Sequence, residues 1–150
     1  MVTSLPVDAT FSAFLDPGMG PCASPGPTAP VVLIVEDDES VRRMLVAILR
    51  DTYTVFEASD GQAALDLLAR IPAPDAMILD VMMPRVDGFT VGRTLKANPR
   101  LKGVPILYLT AKDGVLDVVA GINAGARHYM TKPFLKVELL TRLAAMVSRS

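Results

Sequence analysis

The sequence predicts an α/β fold in which one parallel sheet of five strands is covered by helices on both faces. From Val31 onward, short continuous apolar runs alternate with segments of helical periodicity. Such apolar runs are typical of strands buried on both faces, and their alternation with helices indicates right-handed crossovers within one parallel sheet. With 150 residues, the chain is long enough for one domain with a substantial core.

The first three strands and two helices are predicted between residues 31 and 80. Strands are predicted at 31–35 (VVLIV), 53–58 (YTVFEA) and 76–80 (AMILD). Helices are predicted over 40–50 and 60–71, because apolar residues recur there at helical spacing. The residues that we expect to face the core are Val41, Met44, Leu45, Ile48, Leu49, Ala64, Leu65, Leu68 and Ile71. The acids Asp38 and Glu39 are interpreted as the start of the first helix, where the helix dipole favours negative charge.

The second half of the chain repeats the alternation. We predict a helix over 88–97, a strand over 104–110, a helix over 113–126, a strand over 127–131 and a helix over 135–147. Asp87 and Gly88 are interpreted as a turn before the first of these helices. The residues of the last helix that we expect to face inward are Leu135, Leu139, Leu140, Leu143, Met146 and Val147.

Residues 1–30 differ in composition from the rest of the chain. They contain six of its 12 prolines and show neither helical nor strand periodicity. Proline lacks a backbone donor and glycine has a high entropic cost of ordering, so this segment is predicted to be a flexible extension. We therefore predict a single domain over residues 31–150.

Charge and composition exclude several classes of protein. A net charge of -1 gives no electrostatic basis for nucleic-acid binding. No apolar run approaches the length of about 20 residues that a membrane helix needs, and the N-terminus lacks the pattern of a secretory signal. The single cysteine, Cys22, cannot form an internal disulfide, which is consistent with the cytoplasm.

Polar residues end the predicted strands at the edge where such sheets bind ligands. Glu36 and Asp37 follow the first strand, Asp80 ends the third, Thr110 ends the fourth and Lys132 follows the fifth. In a 2-1-3-4-5 strand order the first and third strands are neighbours, so three carboxylates converge there. Two charges 4 Å apart repel by about 4 kcal/mol at an effective dielectric of 20. The cluster therefore predicts a hard divalent cation, with Mg²⁺ the best fit.

These residue types are those of phosphoryl transfer to a carboxylate. We predict Asp80 as the phosphoryl acceptor, Asp37 as a direct metal ligand and Glu36 as a ligand acting through water. Lys132 would supply a fixed positive charge, and the hydroxyl of Thr110 would respond to the phosphoryl group. A dinucleotide site is excluded, because it needs a Gly-rich turn after the first strand and the chain has EDDES (36–40) there.

Four segments in order resemble the receiver domain of two-component response regulators. They are VEDDE (35–39), LDVMMPRVDG (79–88), LTAKD (109–113) and HYMTKPF (128–134). The resemblance implies a flavodoxin-like receiver fold with five strands in the order 2-1-3-4-5 and five helices. It also implies that Asp80 is phosphorylated by a sensor histidine kinase or a histidine phosphotransfer protein.

The same resemblance assigns roles to further residues. The backbone carbonyl of Met82 would be a third protein ligand to Mg²⁺, the backbone of Ala111 and the side chain of Lys132 would contact the phosphate, and the Lys132–Pro133 bond would be cis. Tyr129 takes the place of the family's switch aromatic. Because the Met82 side chain offers no hydrogen bond to an attacking water, we expect slow intrinsic dephosphorylation.

The implied switch transmits the charge of the phosphoryl group to a surface. Movement of Thr110 would draw Tyr129 inward and change the face formed by the helical residues 113–124, strand 127–131 and helix 135–147. Only SRS follows Val147, so we expect output through a downstream effector protein or through self-association.

Two other functions, a phosphohydrolase and an interaction module, are alternatives to a phospho-acceptor signalling domain. An Mg²⁺-dependent phosphohydrolase resembling the haloacid dehalogenase group would need a second Asp two residues after Asp80, where this chain has Met82. A phosphorylation-independent interaction module would have no reason to retain acids that repel one another. We therefore predict a signalling domain rather than a turnover enzyme.

Overall fold

Five parallel strands form a single sheet in the order β2-β1-β3-β4-β5. The computed structural model describes residues 29–83, 86–111 and 128–148. The strands are β1 (Val31–Val35), β2 (Thr54–Ala58), β3 (Ala76–Asp80), β4 (Ile106–Ala111) and β5 (His128–Lys132). The predicted α/β class and strand order are confirmed.

Four helices are found among the described residues. They are α1 (Glu39–Leu49), α2 (Gly61–Leu68), α3 (Gly88–Lys96) and α4 (Lys136–Ser148). The predicted helix over 113–126 and most of the predicted N-terminal extension lie outside the described residues. No helix in the described ranges has the length and apolar character that crossing a bilayer requires.

The sheet separates two hydrophobic cores, as expected for helices on both faces. Successive side chains of a strand point to opposite faces, so Leu33 and Val35 of β1 join one core while Val32 and Ile34 join the other. Helices α2 and α3 pack on the first face, and α1 and α4 pack on the second. Every residue of β3 is buried, which explains its unbroken apolar sequence before Asp80.

The buried face of α1 follows the predicted stripe except at Met44. Met44 is 45% exposed, whereas Val46 is buried beside Leu45 and Leu49. Val41 and Ile48 pack against the same core, as predicted, and Arg42 lies at a partly buried position that sequence patterning does not assign to a charged residue. The prediction for Leu135 was also wrong: this residue precedes α4 and is 74% exposed.

Three aspartates begin the helices that follow β1, β2 and the loop after β3. The side chains of Asp38, Asp60 and Asp87 accept hydrogen bonds from the backbone N–H groups of Val41, Ala63 and Thr90 at 3.1, 2.8 and 2.8 Å. Such N-caps typically contribute about 1 kcal/mol each. The helix-start role predicted for Asp38 is confirmed, and Asp87, predicted as part of a turn before a helix, also caps that helix. The caps fix the loops at the carboxyl edge of the sheet.

An aromatic row connects α3 to the edge strand β5. The rings of Phe89 and Tyr108 are 5.0 Å apart, and those of Tyr108 and Tyr129 are stacked at 6.0 Å. A Cβ atom at Gly92 would collide with the hydroxyl of Tyr108 and lie 3.2 Å from the ring carbon that carries it. Glycine at position 92 therefore allows α3 to lie directly against the Tyr108 ring.

The Gly92→Ala substitution is expected to destabilise the protein by about 1 to 2 kcal/mol. Alanine gains about 1 kcal/mol of helix propensity, but displacing the Tyr108 ring from a packed core costs more. The measurement is the free energy of unfolding in urea. Tyr108→Phe in the Gly92→Ala background should recover part of the loss, because it removes the colliding hydroxyl.

The matched control is Gly103→Ala, since a Cβ atom there has no neighbour within 4 Å. Equal unfolding free energies for the two alanine variants would contradict the packing of α3 on Tyr108.

Candidate functional site

Three carboxylates meet at the carboxyl ends of β1 and β3. Val35 and Leu79 are register partners, so Glu36 and Asp80 follow them at the same level of neighbouring strands. One carboxylate oxygen each from Glu36, Asp37 and Asp80 lies within 4.8 Å of the others. Glu36 and Asp80 are buried, at 0% and 4% exposure, whereas Asp37 is exposed. The structure thus brings together the acids that the sequence predicted would converge.

Glu36 is held at four points. Its N–H donates to the Ala58 carbonyl of β2 at 3.1 Å, and its Oε2 accepts from the Asp38 N–H at 3.2 Å. Its backbone carbonyl accepts from Nη1 of Arg42 at 2.9 Å, and its Oε1 lies 2.9 Å from Nζ of Lys132. Sequence reasoning missed Arg42, because a single arginine within an amphipathic helix gives no pattern that distinguishes it.

Lys132 lies between the two buried acids. Its Nζ is 2.9 Å from Oε1 of Glu36 and 3.4 Å from Oδ2 of Asp80, and its side chain is 26% exposed. Burial lowers the pKa of the Lys132 ammonium, but the hydrogen bond and charge of Glu36 and the charge of Asp80 outweigh burial and raise it. The ammonium is therefore retained as a fixed positive charge at neutral pH.

The carboxyl group of Asp80 is difficult to ionise in this environment. Burial, together with a hydrogen bond to Glu36 and the negative charge of Glu36, raises the pKa of Asp80 to about 8, although Lys132 lowers it. Among the residues that the structure describes, one ammonium faces three carboxylates, which leaves an excess of negative charge at the cluster. A further cation would favour the ionised form of Asp80.

The cluster fits a hard divalent cation. Mg²⁺ binds oxygen ligands at about 2.1 Å, so oxygens that share one ion lie roughly 3 to 4 Å apart. The three carboxylate oxygens lie within 4.8 Å of one another, so Asp37 and Asp80 need only small adjustments to reach that spacing, with Glu36 beside the ion. In addition, the described residues offer Oε1 of Glu36 one cationic neighbour, the Lys132 ammonium, and no further donor. The all-oxygen donor set and the excess of negative charge both suit Mg²⁺.

The remaining predicted site residues lie around Asp80. The Met82 N–H donates to Oδ1 of Asp80 at 3.2 Å, while the Met82 side chain is 61% exposed. Thr110 is buried at the end of β4, next to the register partner of Asp80, and its Oγ1 donates to the Ala111 carbonyl at a long 3.5 Å. Ala111 is exposed and lies in register with Lys132.

Two further predicted features, a cis peptide bond and an aromatic residue, lie on or next to β5. The Lys132–Pro133 peptide bond is cis. Tyr129 is half-buried on β5 and stacks on Tyr108. Burial raises the pKa of the Tyr129 hydroxyl.

Gly88 has a packing role that the sequence did not reveal. A Cβ atom at this position would collide with the backbone carbonyl of Asp80 and lie 3.0 Å from the Cα atom of Val81. The Gly88 N–H donates to the Val81 carbonyl at 3.1 Å, so the start of α3 is pressed against the end of β3. The Asp-Gly pair was interpreted only as a turn, although its glycine also lets α3 lie close to the end of β3.

Comparison with known proteins identifies the family. The sequence profile of the response regulator receiver domain matches residues 32–144. The chain belongs to this family. Response regulator MprA of Mycolicibacterium vanbaalenii is 48% identical over 120 residues, which are 79% of this chain and 51% of that protein. The chain spans about half the length of the curated relatives that it matches.

Solved receiver structures share the fold. Chemotaxis protein CheY4 of Vibrio cholerae is 32% identical with a TM-score of 0.73, covering 79% of this chain and 99% of that one. The receiver domain of sensor histidine kinase PA1611 from Pseudomonas aeruginosa is 30% identical with a TM-score of 0.74, covering 81% and 99%. The PA1611 structure has a magnesium ion coordinated in its active site cleft. Receiver domains bind Mg²⁺ at an acidic pocket, and this one has the acidic cluster described above.

Replacing Asp80 should change how the stability of the cation-free receiver domain depends on pH. The carboxyl titrates near its ordinary value of about 3.9 when unfolded and near 8 when folded. Between these values the unfolded chain loses its proton while the folded protein keeps it, so rising pH destabilises the wild type. The Asp80→Asn variant lacks this group. Its free energy of unfolding, relative to that of the wild type, should therefore increase by up to about 1.4 kcal/mol for each unit by which the pH rises.

The measurement is urea unfolding of both proteins in a chelating buffer, from about pH 5 to about pH 8. A stability difference that does not change with pH would show that Asp80 is already ionised at the lower end of this range.

Proposed function

We propose that this receiver domain accepts a phosphoryl group on Asp80 from a phosphohistidine of a sensor histidine kinase or a histidine phosphotransfer protein. The observation that carries the proposal is the buried Asp80 carboxylate within a three-acid cluster, 3.4 Å from the ammonium of Lys132. A carboxylate can act as a nucleophile toward phosphorus, and a nearby fixed cation stabilises the charge of the transferred group.

The acidic cluster would hold Mg²⁺. Exposed Asp37 is suited to direct coordination together with Asp80 and the backbone carbonyl of Met82. Both carboxylate oxygens of Glu36 already have neighbours, Lys132 and the Asp38 N–H, which supports ligation by Glu36 through water. When bound, Mg²⁺ would offset the charge of the carboxylates and of the phosphoryl oxygens.

The chain's own residues account for the transfer step. An Oδ atom of Asp80 attacks phosphorus and forms a P–O bond, while the P–N bond to the donor imidazole breaks. The electron pair of that bond stays on the imidazole nitrogen. Lys132, freed from Asp80 as its carboxylate becomes an acyl phosphate, would pair with the phosphoryl oxygens. The Thr110 hydroxyl and the Ala111 N–H would donate to the same oxygens.

The proposed output is a change in the surface around β5. Within the described ranges the Thr110 hydroxyl has one hydrogen bond, a long one to the Ala111 carbonyl, so a phosphoryl oxygen would be a better acceptor for it. Movement of Thr110 would let Tyr129 change its packing against Tyr108. The surface that includes β5 and α4 would then bind a downstream effector or a second copy of the chain.

Four inferences from the sequence stay predictions. They are the division into an N-terminal extension (1–30) and a receiver domain (31–150), the cytoplasmic location, slow dephosphorylation and the absence of enzymatic turnover.

Incubation with acetyl phosphate and Mg²⁺ tests the acceptor. Intact-mass measurement should show one added phosphoryl group on the wild-type protein and none on Asp80→Asn or on wild type treated with a chelator. The control is Asp75→Asn, because Asp75 precedes the same strand at its opposite end and accepts from the Val31 N–H. Equal labelling of wild type and Asp80→Asn, or no labelling of either, would reject the proposal.

Replacing Lys132 should separate phosphoryl transfer from cation binding. In Lys132→Ala the rate of phosphoryl uptake should fall at least about 100-fold, as when an oxyanion donor is removed. Mg²⁺ affinity should stay the same or rise, because a competing positive charge is lost. Lys136→Ala, at the exposed first position of α4, is the control. A parallel loss of Mg²⁺ affinity would mean that Lys132 only supports the site's structure.

A further inference from the structure

Arg42 connects three elements beside the acidic cluster. It lies on the inward stripe of α1, and its side chain is only 17% exposed. Its Nη1 donates to the Glu36 carbonyl at 2.9 Å, and its Nε lies 3.0 Å from Oε1 of Glu57 on β2. The guanidinium therefore links the end of β1 to β2 from a helix that begins only three residues after Glu36.

The carbonyl that Arg42 holds belongs to the peptide group between Glu36 and Asp37. Because a peptide group is planar, the direction of this carbonyl also fixes the directions in which the two acids leave the strand. The Glu36 N–H is already fixed by Ala58, so Arg42 supplies the second constraint on this turn. Loss of the Arg42 contact would allow the peptide group to rotate and separate the oxygens of Glu36 and Asp37.

Arginine suits this place for two reasons. Its planar fork can donate to two acceptors at once, whereas a lysine ammonium is a point charge on a flexible stem. Its contacts with the described residues are the Glu57 carboxylate and the Glu36 carbonyl, so the guanidinium occupies no carboxylate oxygen of the acidic cluster. Glu57 is partly buried, at 24% exposure, which favours a fixed rather than a fluctuating pair.

We propose that Arg42 is a positioning residue for divalent cation binding, acting through the backbone of Glu36. This inference rests on the proposed Mg²⁺ site. In Arg42→Ala, the dissociation constant for Mg²⁺ should rise by about 10-fold or more, the range typical of lost outer contacts to metal ligands. Arg42→Lys should resemble Arg42→Ala, because it keeps the charge but not the two-point contact.

The test is calorimetric titration with Mg²⁺, accompanied by thermal unfolding of every variant without the ion. Arg43→Ala is the matched control. Arg43 is the next residue on α1 and carries the same charge, and its ion pair with Glu39, at 2.7 Å, lies on the exposed surface of the helix. Glu57→Gln removes the ion pair while leaving the donor to Glu36 in place. Arg43→Ala and Glu57→Gln should both bind Mg²⁺ within about twofold of wild type, because neither variant lacks the bond to the Glu36 carbonyl.

The possible outcomes separate this inference from the proposed function. If wild type binds Mg²⁺ and Arg42→Ala binds it as well as Arg43→Ala does, the positioning role is wrong and the proposed function stands. Equal weakening by Glu57→Gln and Arg42→Ala would assign the effect to the ion pair and would also overturn the role. If Arg42→Lys binds Mg²⁺ with wild-type affinity, a positive charge at position 42 is sufficient for Mg²⁺ binding, and the positioning role of the two-point contact is overturned. If wild type itself binds no Mg²⁺, the metal site and this inference both fail.

Discussion

The burial of Glu36 and Asp80 against the ammonium of Lys132, the one ammonium that the described residues place there, governs the geometry of the site. Parallel strands end at one edge of the sheet, and the neighbouring positions of β1 and β3 leave these carboxylates little room to separate. Water screens them poorly because both are buried. Lys132 balances part of the charge, and the remainder favours a proton or a divalent cation. The chemistry of this receiver domain follows from that imbalance.

The surrounding structure keeps the charged groups in place. Aspartate caps fix the beginnings of α1 and α3, and Gly88 brings α3 against the backbone of Asp80. Arg42 ties the Glu36 carbonyl to β2. These contacts are made mainly with the backbone, so they restrict the loops without adding groups that compete for a cation. A preorganised site of this kind needs little rearrangement when a ligand binds.

Strands β4 and β5 both carry residues of the candidate site, and β5 is also an edge of the sheet. Thr110 lies on β4 beside β3, while Lys132 and Tyr129 both belong to β5. Tyr108 lies between Phe89 of α3 and Tyr129, so packing on this face reaches from α3 to the edge strand β5. A change in the charge of Asp80 would therefore occur close to β4 and β5, and β5 forms the outer edge of the sheet. This arrangement is consistent with the family's role as a signalling switch.

Sequence patterns predicted the α/β class and the residues that end the strands, and the resemblance to receiver domains implied the strand order. Apolar runs mark buried strands, and the alternation with helices restricts the topology. The partly buried position of Arg42 on α1 depends on tertiary contacts, because its burial follows from Glu36 and Glu57 rather than from apolar periodicity. Only the tertiary structure decided the pairing of Lys132 with Glu36 and the close approach of Gly88 to Asp80. Such contacts join residues distant in sequence, and local patterns carry no information about their distances.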